Sequence, residues 1–406
     1  MDIGCRLDRP NIAAMTDVNA WVEQRADEMA ELLVRLIAVD SENPPGRALG
    51  RCAEVVREAM TGLGISAEVI AVGPARDLDE PCVVRGVVGG GAKTLYFHGH
   101  FDVVPAQSRD QFTARRRDGR IIGRGSADMK GGIVSMLYGA AAAKELNLVA
   151  DGRIVLHLVC DEETGSVTGA GHLRGTGMLD PSAVAMVTAE PSGGRIWNAA
   201  RGALSLRVSV RGKEAHVGQA DRGVNAFHHM LHIARPVEAY AREMAAQRSM
   251  VVPGGLFGGG SNFNVVPGDA FFTVDGRYHP QVDLDRELKR LSGIIDQAAD
   301  EIGADVSIEV TQRQPAAYTD PAHPAAVALA RAVGETAAFE LCEGILETRW
   351  YDQLGIPAFG YGAGTLDVSH GPDEYIDEAA MRRCAVVYAR YAELMLTGDA
   401  DEPRHR

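Results

Sequence analysis

The sequence contains few cysteines and no closely spaced pair of them. None of the six belongs to a C-x-x-C pair, so the sequence predicts neither a thiolate zinc site nor a disulfide framework. We therefore expect reduced thiols, as in a cytoplasmic protein. The six are Cys5, Cys52, Cys82, Cys160, Cys342 and Cys384.

Long apolar stretches are also absent. No run approaches the roughly 18 apolar residues that a membrane span needs, and the first residues lack the basic and apolar segments of a secretory signal. These absences predict a soluble, cytoplasmic protein that does not bind membranes. We expect residues 1–14 to be a disordered leader and the fold to begin near Met15, which leaves Met1 and Met15 as alternative translation starts.

Basic residues are outnumbered by acidic ones. The 41 Lys and Arg residues face 55 Asp and Glu residues, which gives a net charge of -14. Nucleic-acid binding requires a basic surface, so this balance argues against a nucleic-acid partner. A bound metal would offset part of the negative charge.

The chain length and the order of its apolar segments predict two domains. A chain of 406 residues exceeds what one compact core usually holds. Short apolar runs alternate with longer amphipathic ones, a rhythm typical of an α/β fold. We therefore predict a mixed sheet with helices on both faces, formed by residues 15–202 and 313–398. The short runs are 94–100, 153–160 and 183–190, and a longer run is 133–146.

From about residue 203 the pattern changes to alternating strands. Residues 203–211 and 270–278 alternate apolar and polar side chains, and a helical stretch and a glycine-rich segment, 253–262, separate them. We interpret the glycine-rich segment as a flexible loop. Residues 203–312 are therefore predicted to form an inserted α+β domain.

Polar side chains end three of the predicted strands, at His100, Asp161 and Glu190. Ligands of α/β sheets gather at the carboxyl ends of strands. In HGHFDVVP (98–105), His100 and Asp102 point to one side, which suits a metal-binding histidine whose second ring nitrogen meets a carboxylate. The alternative is a strand-end histidine followed by a turn aspartate.

Three further clusters supply carboxylates and a second histidine. In GRGSADMKGG (123–132), glycines let the backbone turn tightly around Asp128, although a lone aspartate there is also a common helix cap. In CDEETGS (160–166), three adjacent carboxylates repel one another and need a cation or a proton, unless the segment is a solvated turn. SHGPDEY (369–375) adds His370. Nitrogen and oxygen ligands suit zinc and tolerate cobalt or manganese.

These motifs, in this order with AEPSGG (189–194), resemble the di-zinc amidohydrolase and metallopeptidase family of acetylornithine deacetylase, succinyl-diaminopimelate desuccinylase, aminoacylase and glutamate carboxypeptidase. The resemblance spans nearly the whole chain and implies two zinc ions per subunit bridged by Asp128. It assigns His100 and Glu190 to one zinc, and Glu163 and His370 to the other. Asp102 would then support His100.

The resemblance also implies the residues that carry out catalysis. Glu162 would be the general base, taking a proton from the attacking water and passing it to the leaving amine. In the inserted domain, His216 would donate to the developing oxyanion, a histidine that in this family often comes from the partner subunit of a dimer. Asn264 and Arg277 would hold the polar end of the substrate. The resemblance also implies that the inserted domain, residues 203–312, acts as a lid and forms a homodimer.

The sequence departs from the family pattern at LETRWYDQLG (346–355), where Arg349 is a candidate substrate-binding residue. The neighbouring Trp350 and Tyr351 line the pocket in one interpretation and pack between helix and sheet in the other. The leading hypothesis is a deacylase of small N-acyl amino acids. A dipeptidase or carboxypeptidase is the alternative, and a non-catalytic binding protein on the same fold is a third.

Overall fold

The computed structural model describes residues 12–73 and 78–397. The chain forms two compact units. The first contains the chain up to Asn198, Thr319–Glu340 and the residues from Trp350 onward, and the second contains Ala199–Tyr318 and Leu341–Arg349. Residues 1–11 of the predicted leader lie outside the described residues, whereas 12–14 begin the first helix, α1 (Ile12–Glu23).

A mixed sheet forms the centre of the first unit, as the sequence predicts. Its strands include the order β1-β2-β6-β3-β7-β17-β8, in which β6, β3, β7 and β17 are parallel to one another, whereas β2 and β8 pair antiparallel with β6 and β17. The strands are β1 (Ser66–Ala71), β2 (Cys82–Gly89), β3 (Lys93–His100), β6 (Gly152–Val159), β7 (Ala185–Thr188), β8 (Ile196–Ala200) and β17 (Ala358–Gly360).

Helices cover both faces of this sheet because successive strand residues point to opposite sides. Leu95 and Phe97 of β3 pack against the larger helical layer, whereas Tyr96 packs against the smaller one. The larger layer consists of α1, α2 (Ala26–Ile37), α3 (Leu49–Gly62), α4 (Gly131–Glu145), α8 (Pro324–Val333) and α10 (Glu378–Leu396), and the smaller of α5 (Ala170–Gly175) and α9 (Thr348–Asp352).

A small three-stranded sheet joins two distant parts of the first unit. Its strands are β4 (Arg115–Arg117), β5 (Arg120–Ile122) and β18 (Tyr375–Asp377), in the order β18-β5-β4. The Gly123 N–H then donates to the carbonyl of Glu374 over 2.9 Å. The segment that leads to Asp128 is thereby fixed beside the segment that follows His370.

The second unit is built on a separate antiparallel sheet of order β11-β13-β9-β14. Helices α6 and α7 pack on one face around a core that includes Leu206, Val208, Phe272 and Ile295. The elements are β9 (Gly202–Arg211), β10 (Ala215–His216), α6 (Ala226–Ala246), β11 (Met250–Gly259), β12 (Val265–Val266), β13 (Asp269–Tyr278), α7 (Leu284–Asp300), β14 (Asp305–Gln314) and β15 (Ala317–Tyr318). Strand β16 (Phe339–Cys342) crosses the unit boundary.

The glycine-rich segment is not the flexible loop that its composition predicts. Residues 253–259 belong to β11, which pairs with β13 and shifts register between Pro253 and Phe257. The pairing uses backbone groups, which glycine possesses like any other residue, and the register shift accommodates the extra residues. The prediction from composition was wrong because it ignored this partner strand.

The structure also describes two features that are scarce in the sequence, cysteines and long apolar segments. The described cysteines Cys52, Cys82, Cys160, Cys342 and Cys384 are free and buried. Among the helices within residues 12–73 and 78–397, none has the length and apolar character needed to cross a membrane.

Candidate metal centre

Adjacent parallel strands bring the candidate ligands to one edge of the sheet. Strand β3 lies between β6 and β7, and His100 is its last residue. Glu163 follows the end of β6, and Glu190 follows the end of β7. Because the carboxyl ends of parallel strands meet at the same edge, residues far apart in the chain become neighbours.

A tight turn carries the fourth ligand candidate, Asp128, to this edge. Gly125 begins the turn with φ +80°, and a Cβ atom there would lie 2.6 Å from Val103. Glycine is therefore required by both conformation and space. Asp128 itself is non-helical, with φ -126° and ψ 96°, and a cis peptide bond joins it to Met129.

His100, Asp128 and Glu190 form a first group of ligand atoms. The three side chains are buried, and one ligand atom from each lies within 4.8 Å of the others. His100 Nε2 is 3.2 Å from Asp128 Oδ1 and 3.8 Å from Glu190 Oε1. These separations leave room for one cation bound by all three residues.

Asp128, Glu163 and His370 form a second group. His370 Nε2 is 3.3 Å from Asp128 Oδ2 and 3.6 Å from Glu163 Oε1. The two oxygens of Asp128 thus face two different histidines. This arrangement suits a carboxylate that bridges two metal ions.

The residues present fit divalent metal ions. His100 Nε2 is buried and makes no hydrogen bond of good geometry within the described part of the chain. Burying such an atom without a partner is costly, and a metal ion supplies the partner. The two imidazoles and three carboxylates form a nitrogen and oxygen ligand set of the kind that zinc prefers.

In the metal-free protein, the surroundings of the two histidines favour their protonated forms. Burial lowers the pKa of His100, but Asp102, Asp128 and Glu190 outweigh this effect and hold the pKa well above its usual value. Hydrogen bonds to Asp128 and Glu163 raise the pKa of His370 to about 10. Burial raises the pKa of Asp128, yet the two histidines outweigh it and lower the pKa. Metal ions therefore compete with protons for these ligands.

Asp102 connects His100 to the acidic turn, which consists of Asp161, Glu162 and Glu163. Its Oδ1 lies 3.3 Å from His100 Nδ1, and its oxygens accept the backbone N–H groups of Glu162 and Glu163 over 3.3 and 3.1 Å. Asn43 Nδ2 donates to its Oδ2 over 3.0 Å. One buried carboxylate thus orients a ligand of the first group and the backbone of Glu163 in the second.

The three adjacent carboxylates of the acidic turn separate in space. Asp161 points into its own loop, where it accepts the N–H groups of Thr168 and Gly169 over 2.6 and 2.7 Å. Glu163 faces the metal centre and accepts the N–H of Val104 over 3.2 Å. Glu162, which lies between them in the sequence, is half-buried. The repulsion expected between these carboxylates is therefore reduced. Backbone N–H groups stabilise Asp161, and the metal centre takes up Glu163.

A buried ion pair, which the sequence analysis did not identify, supports Asp128 and His370. Glu374 Oε1 accepts the N–H groups of Ala127 and Asp128 over 2.9 and 3.1 Å. Its Oε2 accepts from Arg124 Nη1 over 2.6 Å, and Arg124 Nη2 donates to the carbonyl of His370 over 3.2 Å. The hydrogen bond from Arg124 therefore stabilises the left-handed backbone of His370, which has φ 63°.

Some of these supporting residues leave a trace in the sequence. Arg124 and Glu374 lie inside two of the quoted motifs, GRGSADMKGG and SHGPDEY. Asn43 and Gln111 lie outside all of them, and Gln111 donates to the carbonyls of Gly371 and Pro372 in the His370 loop. No local pattern identifies a residue whose role depends on a contact more than 50 positions away.

Two predicted site residues lie together in the second unit. The exposed His216 pairs with Val265 in a two-stranded ladder, and the carbonyl of Asn264 accepts the N–H of Val217 over 3.0 Å. His216 Nδ1 accepts the N–H of Gly218 over 3.0 Å. A neutral ring in this position carries its proton on Nε2, which is the tautomer needed for donation.

The two candidate arginines of the second unit differ in exposure. Arg277 is half-buried, and its guanidinium lies 2.9 Å from Asp275 Oδ1. Arg349 is only 3% exposed and donates to Gln314 Oε1 and to the carbonyl of Leu346. These bonds favour a packing role for Arg349 over direct substrate binding. Tyr351, in the first unit, is buried and bonded to His98, so it packs rather than lines a pocket.

Comparisons with known proteins agree with this geometry. The model of Peptidase family M20/M25/M40 matches residues 96–394. Acetylornithine deacetylase from Myxococcus xanthus is 30% identical over 321 residues, which cover 76% of this chain and 81% of the relative. Succinyl-diaminopimelate desuccinylase from Xanthomonas oryzae pv. oryzae is 26% identical over 392 residues, covering 91% and 99%.

A solved structure shows a similar fold. It is a dinuclear metal-binding peptidase of the M20 family from Bacillus subtilis, with a TM-score of 0.70 at 15% identity, and the match covers 92% of this chain and 99% of that one.

We expect Glu374→Gln to weaken metal binding by about 10- to 100-fold, as loss of an outer-shell partner usually does. The change removes the charge that pairs with Arg124 and loosens the turn of Asp128. Competition with a chromophoric chelator measures the affinity. The matched control is Glu378→Gln, which breaks a bidentate pair with Arg116 that contacts no ligand residue. Equal affinities in the two variants would contradict this role.

Metal binding should release protons at neutral pH. The neighbouring carboxylates raise the pKa of both histidines in the metal-free protein, which favours their protonated forms at neutral pH, so loading both positions should release up to one proton from each histidine. Apparent affinity should therefore rise with pH, by up to about tenfold per unit for each proton displaced. Calorimetry in two buffers of different ionisation enthalpy gives the number, and His370→Asn should release about one proton fewer. Binding without proton release would refute the assignment.

Proposed function

The chain belongs to Peptidase family M20/M25/M40, a family of dinuclear metal amidohydrolases and peptidases, and we propose that it removes the acyl group from a small N-acyl amino acid. The observation that carries this proposal is the pair of ligand groups that share Asp128, next to the turn that holds Glu162. Relatives that are deacylases match most of the chain and support the choice of substrate class.

The proposed metals are two zinc ions per subunit, with cobalt or manganese as substitutes. His100, Asp128 and Glu190 would hold one, and Asp128, Glu163 and His370 the other. When bound, such ions supply Lewis acidity to the scissile carbonyl and lower the pKa of water.

We propose Glu162 as the general base. Its backbone N–H is fixed by Asp102, and its side chain belongs to neither ligand group. A carboxylate in this position accepts a proton from the attacking water and returns it to the leaving nitrogen. The side chain is half-buried, so a substrate can reach it.

The second unit would supply groups that recognise the substrate. We propose that His216 donates from Nε2 to the developing oxyanion, and that Asn264 and Arg277 bind the substrate carboxylate. A guanidinium matches a carboxylate in shape and charge. Binding through Arg277 would compete with its present partner, Asp275. The cytoplasmic location stays a prediction.

We expect hydrolysis of N-acetyl, N-succinyl or N-formyl amino acids by the zinc- or cobalt-loaded protein. Glu162→Gln should lower kcat by about 100- to 10,000-fold, since a general base contributes that much, without lowering the metal content. The control is Glu335→Gln, an exposed glutamate two residues after the end of α8. Cleavage of dipeptides alone would favour the peptidase, and two bound metals without any hydrolysis would favour the non-catalytic binding protein.

We also propose that the protein is a homodimer formed through the second unit. Strand β11 is an edge of the four-stranded sheet, with its outer backbone groups open to pairing. Leu256 and Phe257 on this strand are 66% and 71% exposed. Phe227 and Leu231 on the neighbouring helix α6 are also exposed, at 44% and 52%. An open edge next to exposed apolar side chains is typical of an interface.

A charge placed on this edge should break the dimer. We expect Phe257→Glu to shift the protein from dimer to monomer in light scattering at micromolar concentration, because the charge would be buried at the interface. Val327→Glu, on the 45% exposed Val327 of helix α8, is the control that keeps the dimer. A parent protein that is monomeric at these concentrations would disprove the proposal.

A further inference from the structure

A cavity of about 1010 Å³ lies within the first unit and is lined by no residue of either ligand group. Helix α10 forms one wall, and the loop after Glu190 forms another. The N–H groups of Gly193 and Gly194 donate to the carbonyls of Gly364 and Gly362 over 2.7 and 2.8 Å. The wall is therefore fixed by hydrogen bonds, and the cavity is preformed.

Arginine dominates the charge of this cavity. Among the described residues, five arginines line it, and the carboxylates that line it are those of Glu23 and Asp377. Such a concentration of positive charge is unexpected in a chain with a net charge of -14. The five are Arg120, Arg195, Arg382, Arg383 and Arg390.

The carboxylates of the protein balance only part of this charge. Arg195 lies 2.7 Å from Glu340, and Arg382 lies 3.0 Å from Glu23. Arg120 stacks over the ring of Tyr375 at 4.1 Å. Within residues 12–73 and 78–397, neither Arg120 nor Arg383 has a carboxylate at ion-pair distance.

Arg390 lies deeper in the wall. It is half-buried, and burial lowers its pKa, whereas the charge of Glu393 opposes this effect. A guanidinium with few water contacts attracts an anion more strongly than an exposed one, because the local dielectric constant is lower.

We propose that this cavity binds a small organic or inorganic anion that carries at least two negative charges on phosphate or carboxylate groups. Guanidinium groups match the oxygens of either group bidentately. The volume is at the upper end of the range for small-molecule sites, so it admits anions larger than inorganic phosphate. The site is additional to the metal centre and does not depend on the proposed activity.

The test measures binding of pyrophosphate and of tricarballylate to the metal-free full-length protein, by calorimetry at constant ionic strength. Metal-free protein is used because both probes also bind metal ions. We expect saturable binding of at least one probe, and the comparison of the two distinguishes phosphate from carboxylate recognition. Absence of saturable binding up to millimolar concentrations of both would overturn the proposal.

Variants locate the bound anion. Arg383 is exposed on α10, so Arg383→Ala should leave the fold intact and weaken binding by about 10- to 100-fold, the usual effect of losing a charged hydrogen bond. Arg383→Lys keeps the charge but loses the fork, and should weaken binding less. The control Arg331→Ala removes an exposed arginine of α8 that does not line the cavity and should bind like the parent. Equal affinities in all the variants would place the anion elsewhere.

Discussion

The structure of the first unit depends on compensating the negative charge of several carboxylates that are buried at one edge of its central sheet. Asp102, Asp128 and Glu190 are almost inaccessible to solvent, and Glu163 joins them. Like charges this close in a medium of low polarity repel strongly. Each therefore needs a positive charge or a hydrogen-bond donor. The histidines and the proposed metal ions meet the need of the ligand groups, and backbone N–H groups meet that of Asp102.

The same constraint explains residues that never touch a metal. Arg124 and Glu374 are both buried, so neither is favourable alone, yet together they fix the turn of Asp128 and the loop of His370. The small sheet of β4, β5 and β18 brings the two segments together and makes this pairing possible. The local fold, the ion pair and the ligand geometry are therefore consequences of one another.

The sequence predicted what depends on local pattern. Strands β3, β6 and β7 and helix α4 follow from short apolar and amphipathic runs, and the polar residues at the strand ends follow from the geometry of parallel sheets. It failed where distant contacts decide. The glycine-rich segment became strand β11 through its pairing with β13, and Asn43 could be linked to Asp102 only once the fold was known. The role of Arg349 in substrate binding stays a prediction, to which the structure adds that its buried guanidinium donates to Gln314.

In the proposed reaction, the metal centre and Glu162 would act on the amide group, which all candidate substrates share, so they would not select among acyl groups. Selection must come from side chains that meet the rest of the substrate. Among the candidates, the guanidinium of Arg349 is engaged in its own unit, whereas Arg277 is half-buried and pairs with the half-buried carboxylate of Asp275. Asp275 also accepts a hydrogen bond from Ser205 Oγ over 2.6 Å, so it would keep a donor if a substrate carboxylate replaced it on Arg277. On the proposed function, this exchange would favour substrates with a free carboxylate over neutral amides, even though the metal chemistry would be the same for both.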